Sequence, residues 1–566
     1  MTNARKTTLL LTLLVIAATT LRAQEGRRKE STQGKTQGPP RHSVRIDETA
    51  SHLPKIELPE FIITGALRLN APEVEKMSAL SSAMVPIPSV PFLGLGEKGN
   101  LSPDERLMGV PPAPEVKREP SRGRTSVLYG RFGSPSILAI AGDRTGELRS
   151  SVKGFIDGSD GFDPATEYLR GGLHADITMP LRSSEGLLDR ALFGAEASAQ
   201  GWRYRLYGST TPELLRIQRS GGIRLSLRSA EAAPFRYTVT GGWKTTSQSD
   251  SSSLHENVID IALHLSQATA GIRLGGDFSY WVNPVVSRSL SSDRTTVSLL
   301  QVGGSAEMAG PMEIHGGAGV QIAQPNREGT LVVPRFQVSL SYGLTPEVTG
   351  FFLVKSGYET RTLAGLFEIN PYLMNSADVH LRRVKYEVRS GLMFPVWGLI
   401  HGTVSIGTGE EDEFVEFADL DSDGVWELNY AGGVTVKKLQ AEAAGNLTAL
   451  DEIAASIHYT SVRDPATTNV VPYVPALQAL MKWTHLLDEE ISAEVHAEYR
   501  SSVPTDWLNR GFIAGWFVVG ASAEYKVSSQ TRLHARIENL FDTRYYRWNG
   551  YRERPLFLTL GFDWRW

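Results

Sequence analysis

No cysteine occurs anywhere in this chain. That excludes disulfide scaffolds, thiolate metal sites and cysteine nucleophiles. It also suits a chain that crosses an oxidising compartment unfolded. Equally missing is any apolar run of about 18 residues, the length a helix needs to cross a bilayer, so a helical membrane protein is excluded. A large excess of charge of one sign is missing too. A net charge of −4 gives no electrostatic reason to expect a nucleic-acid partner. Hydrophobic content (41%) and charged content (21%) are ordinary. The length is not: 566 residues exceed one usual soluble domain, and all-β barrels are the architecture able to use such a length as one unit.

Three parts follow one another. Residues 1–23 have the order of a secretory signal: Arg5 and Lys6, an apolar core from Leu9 to Ala18, then Leu21-Arg22-Ala23 ending on a small residue. Residues 24–123 hold thirteen of the chain's 30 prolines, and 25-EGRRKESTQGKTQGPPR-41 is polar and aperiodic. Such a segment buries too little apolar surface to offset its ordering entropy, so it is expected to be mostly extended or disordered, with short structured patches, and, if the rest of the chain is a membrane barrel, to form a periplasmic tail.

From about Arg124 the pattern turns to period two. Leu556, Leu558, Leu560, Phe562, Trp564 and Trp566 share one face; Phe557, Thr559, Gly561, Asp563 and Arg565 share the other. Ile491, Ala493, Val495, Ala497 and Tyr499 alternate with Ser492, Glu494, His496, Glu498 and Arg500. The same holds for Ile272, Leu274, Phe278 and Tyr280, and for Phe336, Val338, Leu340 and Tyr342. One apolar and one charged face, over the roughly 9 to 11 residues that cross a membrane at a tilt, predict a transmembrane strand around a wet lumen. Aromatic residues at strand ends (Trp426, Tyr430, Tyr459, Tyr525, Trp564 and Trp566) are expected to form interfacial girdles. Short links 344-LTPE-347, 448-TALD-451, 486-LLDE-489 and 528-SSQ-530 alternate with longer polar ones, 247-SQSDSSS-253, 463-RDPATTNV-470 and 501-SSVPTDWLNRG-511. The expected fold is all-β: an antiparallel up-and-down barrel of about 22 strands over residues 124–566. Two one-residue slips in the alternation, at Gln200-Gly201 and Lys437-Lys438, are expected to be β-bulges.

The last hundred residues carry a more specific pattern: 470-VVPYVPALQALMKW-483, 498-EYRSS-502, and above all Glu538-Asn539-Leu540-Phe541-Asp542 with Tyr545, a loop, and a terminal strand ending at Trp566. This resembles the barrel of TonB-dependent receptors. The resemblance implies a cell outer membrane location in a Gram-negative-type bacterium, outer-membrane lipid around the wall, and a barrel assembly machinery that reads the terminal strand. It also implies a TonB-like periplasmic coupling protein and a plug domain inside the barrel. Residues 24–123 are too few and too proline-rich for that plug, so the chain resembles a plug-poor branch. Within them, 57-ELPEFIITGA-66, with Glu60, Phe61, Ile62, Ile63, Thr64 and Gly65, is TonB-box-like: an extended peptide able to add as an edge strand to a partner.

One candidate metal site stands out. Asp419, Asp421 and Asp423 before Gly424 begin a calcium loop, D-x-D-x-D-G, but its twelfth position is Tyr430 rather than a bidentate Glu. Glu410, Glu411, Asp412, Glu413 and Glu416 are nearby in sequence, and a solvated acidic extracellular loop is the competing explanation. His496 and His534 lie on the polar face with acidic neighbours, without any nucleophile motif, and are expected to belong to a hydrated charge network. Neither a catalytic residue nor an organic cofactor is expected. The functional expectation is a nutrient transport or binding barrel for a small-molecule or polymer substrate; the alternative is a structural or surface-assembly barrel, or a passive pore.

Overall fold

The structure, a computed structural model, describes residues 123–566 except 146, 182–185, 187, 189, 231–232, 234, 270, 289–291, 311, 326–328, 376–377 and 398. The signal-like leader, the proline-rich segment and the stretch 57–66 lie outside the described residues.

Twenty-two strands form one antiparallel ring in which each pairs with the wall strands before and after it. The first, Gly123–Gly130, closes the ring against the last, Phe557–Arg565, with Arg124 opposite Arg565 and Val127 opposite Phe562. Gly123 and Trp566 exchange backbone hydrogen bonds of 2.9 and 3.1 Å at the end of this seam. Lipid offers no partner to an open strand edge, so closure is what makes the wall tenable in a membrane. The seam also explains Gly561: a Cβ there would collide with the Val127 carbonyl of the first strand.

Alternation becomes inside and outside. In the last strand Leu558, Leu560, Phe562 and Trp564 are exposed on the outer surface, while Phe557, Thr559 and Asp563 are buried on the inner one. Val495 and Tyr499, like Ile272, Leu274, Phe278 and Tyr280, are exposed. A continuous exposed apolar band would be a liability in water and is what a lipid-facing wall requires. Among the described residues no helix is long and apolar enough to span a bilayer; the strands do so.

The connections 344–348, 447–450, 487–490 and 527–530 lie at the end that carries Gly123 and Trp566. Short turns at one end and long loops at the other make that end periplasmic and the other extracellular. The polar run 247–253 proves shorter as a loop than expected, because the flanking strands Phe235–Ser249 and Ser253–Thr269 absorb most of it.

Two expectations are corrected. Neither phase slip is a bulge. The strand Leu192–Arg205 keeps unbroken register with both neighbours through Gln200 and Gly201, and Val434–Asn446 does so through Lys437 and Lys438. At the extracellular ends of these strands Tyr204 and Val436 simply point inward and are buried there. Trp426 and Tyr430 are also not part of the outer girdle, whereas Tyr459, Tyr525, Trp564 and Trp566 are exposed. Trp426 is 0% exposed, for the same reason as the slips: the extracellular mouth holds an apolar interior of its own.

Candidate functional site: a cap across the extracellular mouth

The cap is built from long loops that leave the wall and fold over the lumen. Residues 360–381 carry a short helix, Leu363–Ile369; residues 413–433 carry a hairpin, Phe414–Ala418 with Glu427–Ala431; and 501–515 and 539–556 each carry a smaller hairpin. Thr362 starts the helix by accepting from the Gly365 N–H, and apolar Leu363, Leu366 and Phe367 bury one side of it.

Those side chains join Leu373, Phe417, Trp426, Tyr473, Trp548 and Tyr551 in one buried core. Tyr372 stacks on Tyr551 at 3.5 Å, and Trp426 meets Trp548 at 5.2 Å and Tyr473 at 5.8 Å. Loops from opposite walls meet here. The loop 206–214 follows the fifth strand of the ring and the hairpin loop follows the fifteenth, yet Thr210 N–H donates to the Asp423 carbonyl at 2.7 Å. Gly424, at φ 80°, lies against Gly208 and Ser209 so closely that a side chain would not fit. The Tyr551 hydroxyl donates to the Gly424 carbonyl at 2.9 Å.

Polar side chains on the inner wall hold the cap in place. Arg216, paired with Asp250 at 2.7 Å, donates to the Leu373 carbonyl at 2.6 Å, and Gln248 donates to the same oxygen at 3.1 Å. Glu256 accepts from the Leu363 N–H at 2.6 Å and from Asn283 at 2.6 Å, tying the helix start to the wall. These bonds give the buried Arg216, Gln248 and Glu256 side chains protein partners in the mouth of the barrel. Sequence reasoning missed all four anchors, since an isolated Arg, Gln, Asn or Glu on a lumen-facing strand carries no local signal.

Two acid–base groups sit inside the cap. His380 is 2.7 Å from Glu413 and 3.5 Å from Asp378, and it stacks on Tyr430 at 3.9 Å. Burial opposes its charge, but the bonds to Asp378 and Glu413 outweigh burial and raise it to about 9. Glu416 is 1% exposed and, among the described residues, accepts from Asn429 at 3.1 Å; burial pushes its carboxyl up to about 8.

The acidic triad lies at the tip of the cap hairpin. One carboxylate oxygen from each of Asp419, Asp421 and Asp423 comes within 4.8 Å of the others, a spacing that fits one hard cation. Burial, and then the Asp423 and Asp421 carboxylates, push the Asp419 carboxyl up against the bonds it accepts from Gly424 and Asp423. The acidic neighbours do not complete this site. Glu410 pairs with Lys385, Glu411 with Arg382, Asp412 with Lys385, Glu413 with His380, and Glu416 bonds Asn429. Tyr430 donates to the Asp378 carbonyl instead.

The signature Glu538 to Asp542 is a knot at the extracellular rim. Asn539 and Asp542 adopt left-handed φ values of 49° and 51°, which Asn and Asp tolerate better than most residues. Asn539 accepts from Thr543 N–H at 2.8 Å and donates to its carbonyl at 2.9 Å, while Asp542 accepts from Leu556 N–H at 2.8 Å. Leu540 N–H donates to Val519 at 2.8 Å. Glu538 pairs with Arg536. These residues fix the entry to the last strand. Below the cap, His534 lies between Asp563 at 3.0 Å and Glu524 at 3.3 Å, and His496 faces Glu494 and Glu538 at 3.9 Å, so both histidines sit among carboxylates on the lumenal face.

No family model matches the chain, and none of the curated proteins does. Solved structures do. The copper transporter OprC superposes with a TM-score of 0.62 at 12% identity, covering 79% of this chain and 82% of that one. The siderophore receptor PiuA from Acinetobacter baumannii gives 0.61 at 12% identity, over 80% and 82%. The ferric-catecholate import receptor Fiu from E. coli K12, in its closed form, gives 0.61 at 11% identity, over 79% and 82%. At such identities the likeness is one of fold: with twenty-two strands closed first to last, this wall has the barrel fold of those transporters and receptors.

Proposed function

We propose that this chain is an outer-membrane import receptor that holds its mouth shut with its own loops and opens it when a nutrient binds from outside. The cap carries this reading. A passive pore needs an open mouth, whereas here loops from opposite walls share one aromatic core. The solved barrels of like fold are named as a copper transporter and as siderophore and ferric-catecholate receptors, which supports uptake as the task. Lumenal charges of both signs meet in pairs, such as Lys482 with Glu494 and Arg382 with Glu359, and this mixed lumen does not point to a substrate of one charge. In this reading Glu60 to Gly65 couples opening to a TonB-like periplasmic protein by strand addition, and the Asp419, Asp421 and Asp423 tip is a candidate calcium clamp on the cap hairpin. The role is binding and transport, without catalysis.

Replacing Trp426 and Trp548 by alanine tests the gate. Each truncation of a buried tryptophan costs about 3 to 5 kcal/mol, enough to loosen the cap while leaving the wall intact. In planar bilayers the native protein is expected to be silent and the double variant to conduct. Ile62→Pro, which removes a strand N–H donor, is expected to abolish uptake of a growth-limiting nutrient at normal surface levels. A native protein that conducts as freely as the variant would leave a passive pore as the better account. Full uptake by Ile62→Pro, with no periplasmic protein crosslinked at Ile63, would remove the coupling step.

A further inference from the structure

Above the apolar belt, one sector of the outer wall is basic. Arg219, Ser247, His255, Val286 and Arg294 stand abreast on five successive strands, in continuous register. Arg203 and Arg288 stand in the next row towards the extracellular end, with Ile217, Ser249 and Ser253 between them. The four arginines and His255 are all exposed, and their strands' outward alternation carries lipid-facing residues such as Ile223, Ile259, Tyr280 and Val302. Neither row contains a carboxylate, and among the described residues none of the five is held in an ion pair.

Height and spacing give the sector its chemistry. The first large apolar row below it holds Ile223, Trp243 and Ile259, four residues down the strands from Arg219, Ser247 and His255. At about 3.3 Å per residue and a tilt of about 40°, the basic rows stand some 10 to 15 Å above that row, at headgroup depth. Arg203 and Arg219 are diagonal neighbours, as are Arg288 and Arg294, and a diagonal pair is about 7 to 8 Å apart, within reach of one phosphate for two arginine forks. Across the ring the upper outward positions are instead apolar or aromatic: Tyr129, Tyr499, Phe517 and Leu558.

We propose that this sector, with its two arginine pairs and His255 between them, is a docking surface for phosphorylated lipid headgroups in the leaflet around the extracellular rim. It rests on the membrane reading of the barrel. Charge complementarity selects the occupant: unpaired guanidinium groups at headgroup depth gain more from a net-anionic lipid than from a zwitterionic one, whose phosphate is offset by its own ammonium group. Each arginine near an anionic surface contributes about a fivefold gain in affinity.

The full chain, in neutral detergent, can be titrated with bis-phosphorylated lipid A and with phosphatidylcholine while native mass spectrometry reads bound lipid. Lipid A is expected to be retained in preference, and the fourfold variant R203Q, R219Q, R288Q and R294Q to lose at least about a hundredfold in affinity. Equal retention of phosphatidylcholine, undiminished lipid A binding by the variant, or full displacement by millimolar inorganic phosphate would each overturn the proposal. The membrane reading is checked separately on a denaturing gel: native protein and variant should both migrate faster unheated than boiled, and a native chain that does not would fail that reading instead.

Discussion

Two side chains make the cap sensitive to protons, and in the same direction. His380 has its folded value raised from 6.5 to about 9, so its stabilisation is complete below 6.5 and disappears as the pH climbs through 9. Glu416 is raised from 4.5 to about 8, which favours the neutral acid in the folded cap; that advantage is complete below 4.5 and is lost on the way to 8. The cap is therefore expected to be tightest in acid and to loosen towards alkaline pH, measured as protease cleavage within 360–381 and 413–433. Glu416→Gln should flatten the lower part of that profile, and His380→Gln the upper part. A protection profile independent of pH in the native protein would remove this account. At the hairpin tip, calcium in the millimolar range should slow the same cleavage, since a loop lacking the twelfth-position carboxylate binds no more tightly than about 10⁻⁴ to 10⁻³ M. Asp421→Asn should abolish the effect, and no effect on the native chain would leave the triad a solvated acidic turn.

At the scale of elements, each wall strand is a two-sided object, and its two sides should respond differently to the same charge. Val495 faces outward and Glu494 pairs with Lys482 in the lumen. Val495→Arg should cost about 2 to 4 kcal/mol if the position lies at the bilayer midplane, while Glu494→Arg is tolerated in a wet lumen. Denaturant unfolding in lipid vesicles reads the difference; equal losses would mean that the faces are misassigned. Strand faces were legible in the sequence because alternation is a local property, settled by the side chains of one segment. The loops were not. The helix Leu363–Ile369 is seven residues long and has no independent stability, so it exists only because Glu256 and the apolar core receive it.

For the molecule as a whole, the closed ring and the cap divide the work. The ring satisfies every strand edge and lets the chain stand in lipid. The cap uses the same kinds of residue for the opposite purpose, burying aromatic groups away from both lipid and water. That is why Trp426 and Tyr430, placed by sequence spacing among girdle aromatics, belong to the interior instead, where Trp426 contacts Trp548 and Tyr430 contacts His380. In the proposed function, opening the cap breaks an assembled core, so a substrate would have to supply differential binding energy for the open state.

By itself the sequence determined the wall: its strand faces, the approximate strand number and the end that carries the short turns. All of these follow from period-two alternation and from turn residues whose conformational preferences are local. Only the tertiary structure decided what the slips at Gln200-Gly201 and Lys437-Lys438 mean. A change of apolar phase can arise from an inserted residue or from a change in what lies inside the barrel, and the two are identical along the chain. Unbroken register between neighbouring strands selects the second. Tyr204 and Val436 are apolar because loops distant in sequence fill the mouth above them, and that filling is a property of the closed ring, not of any one strand.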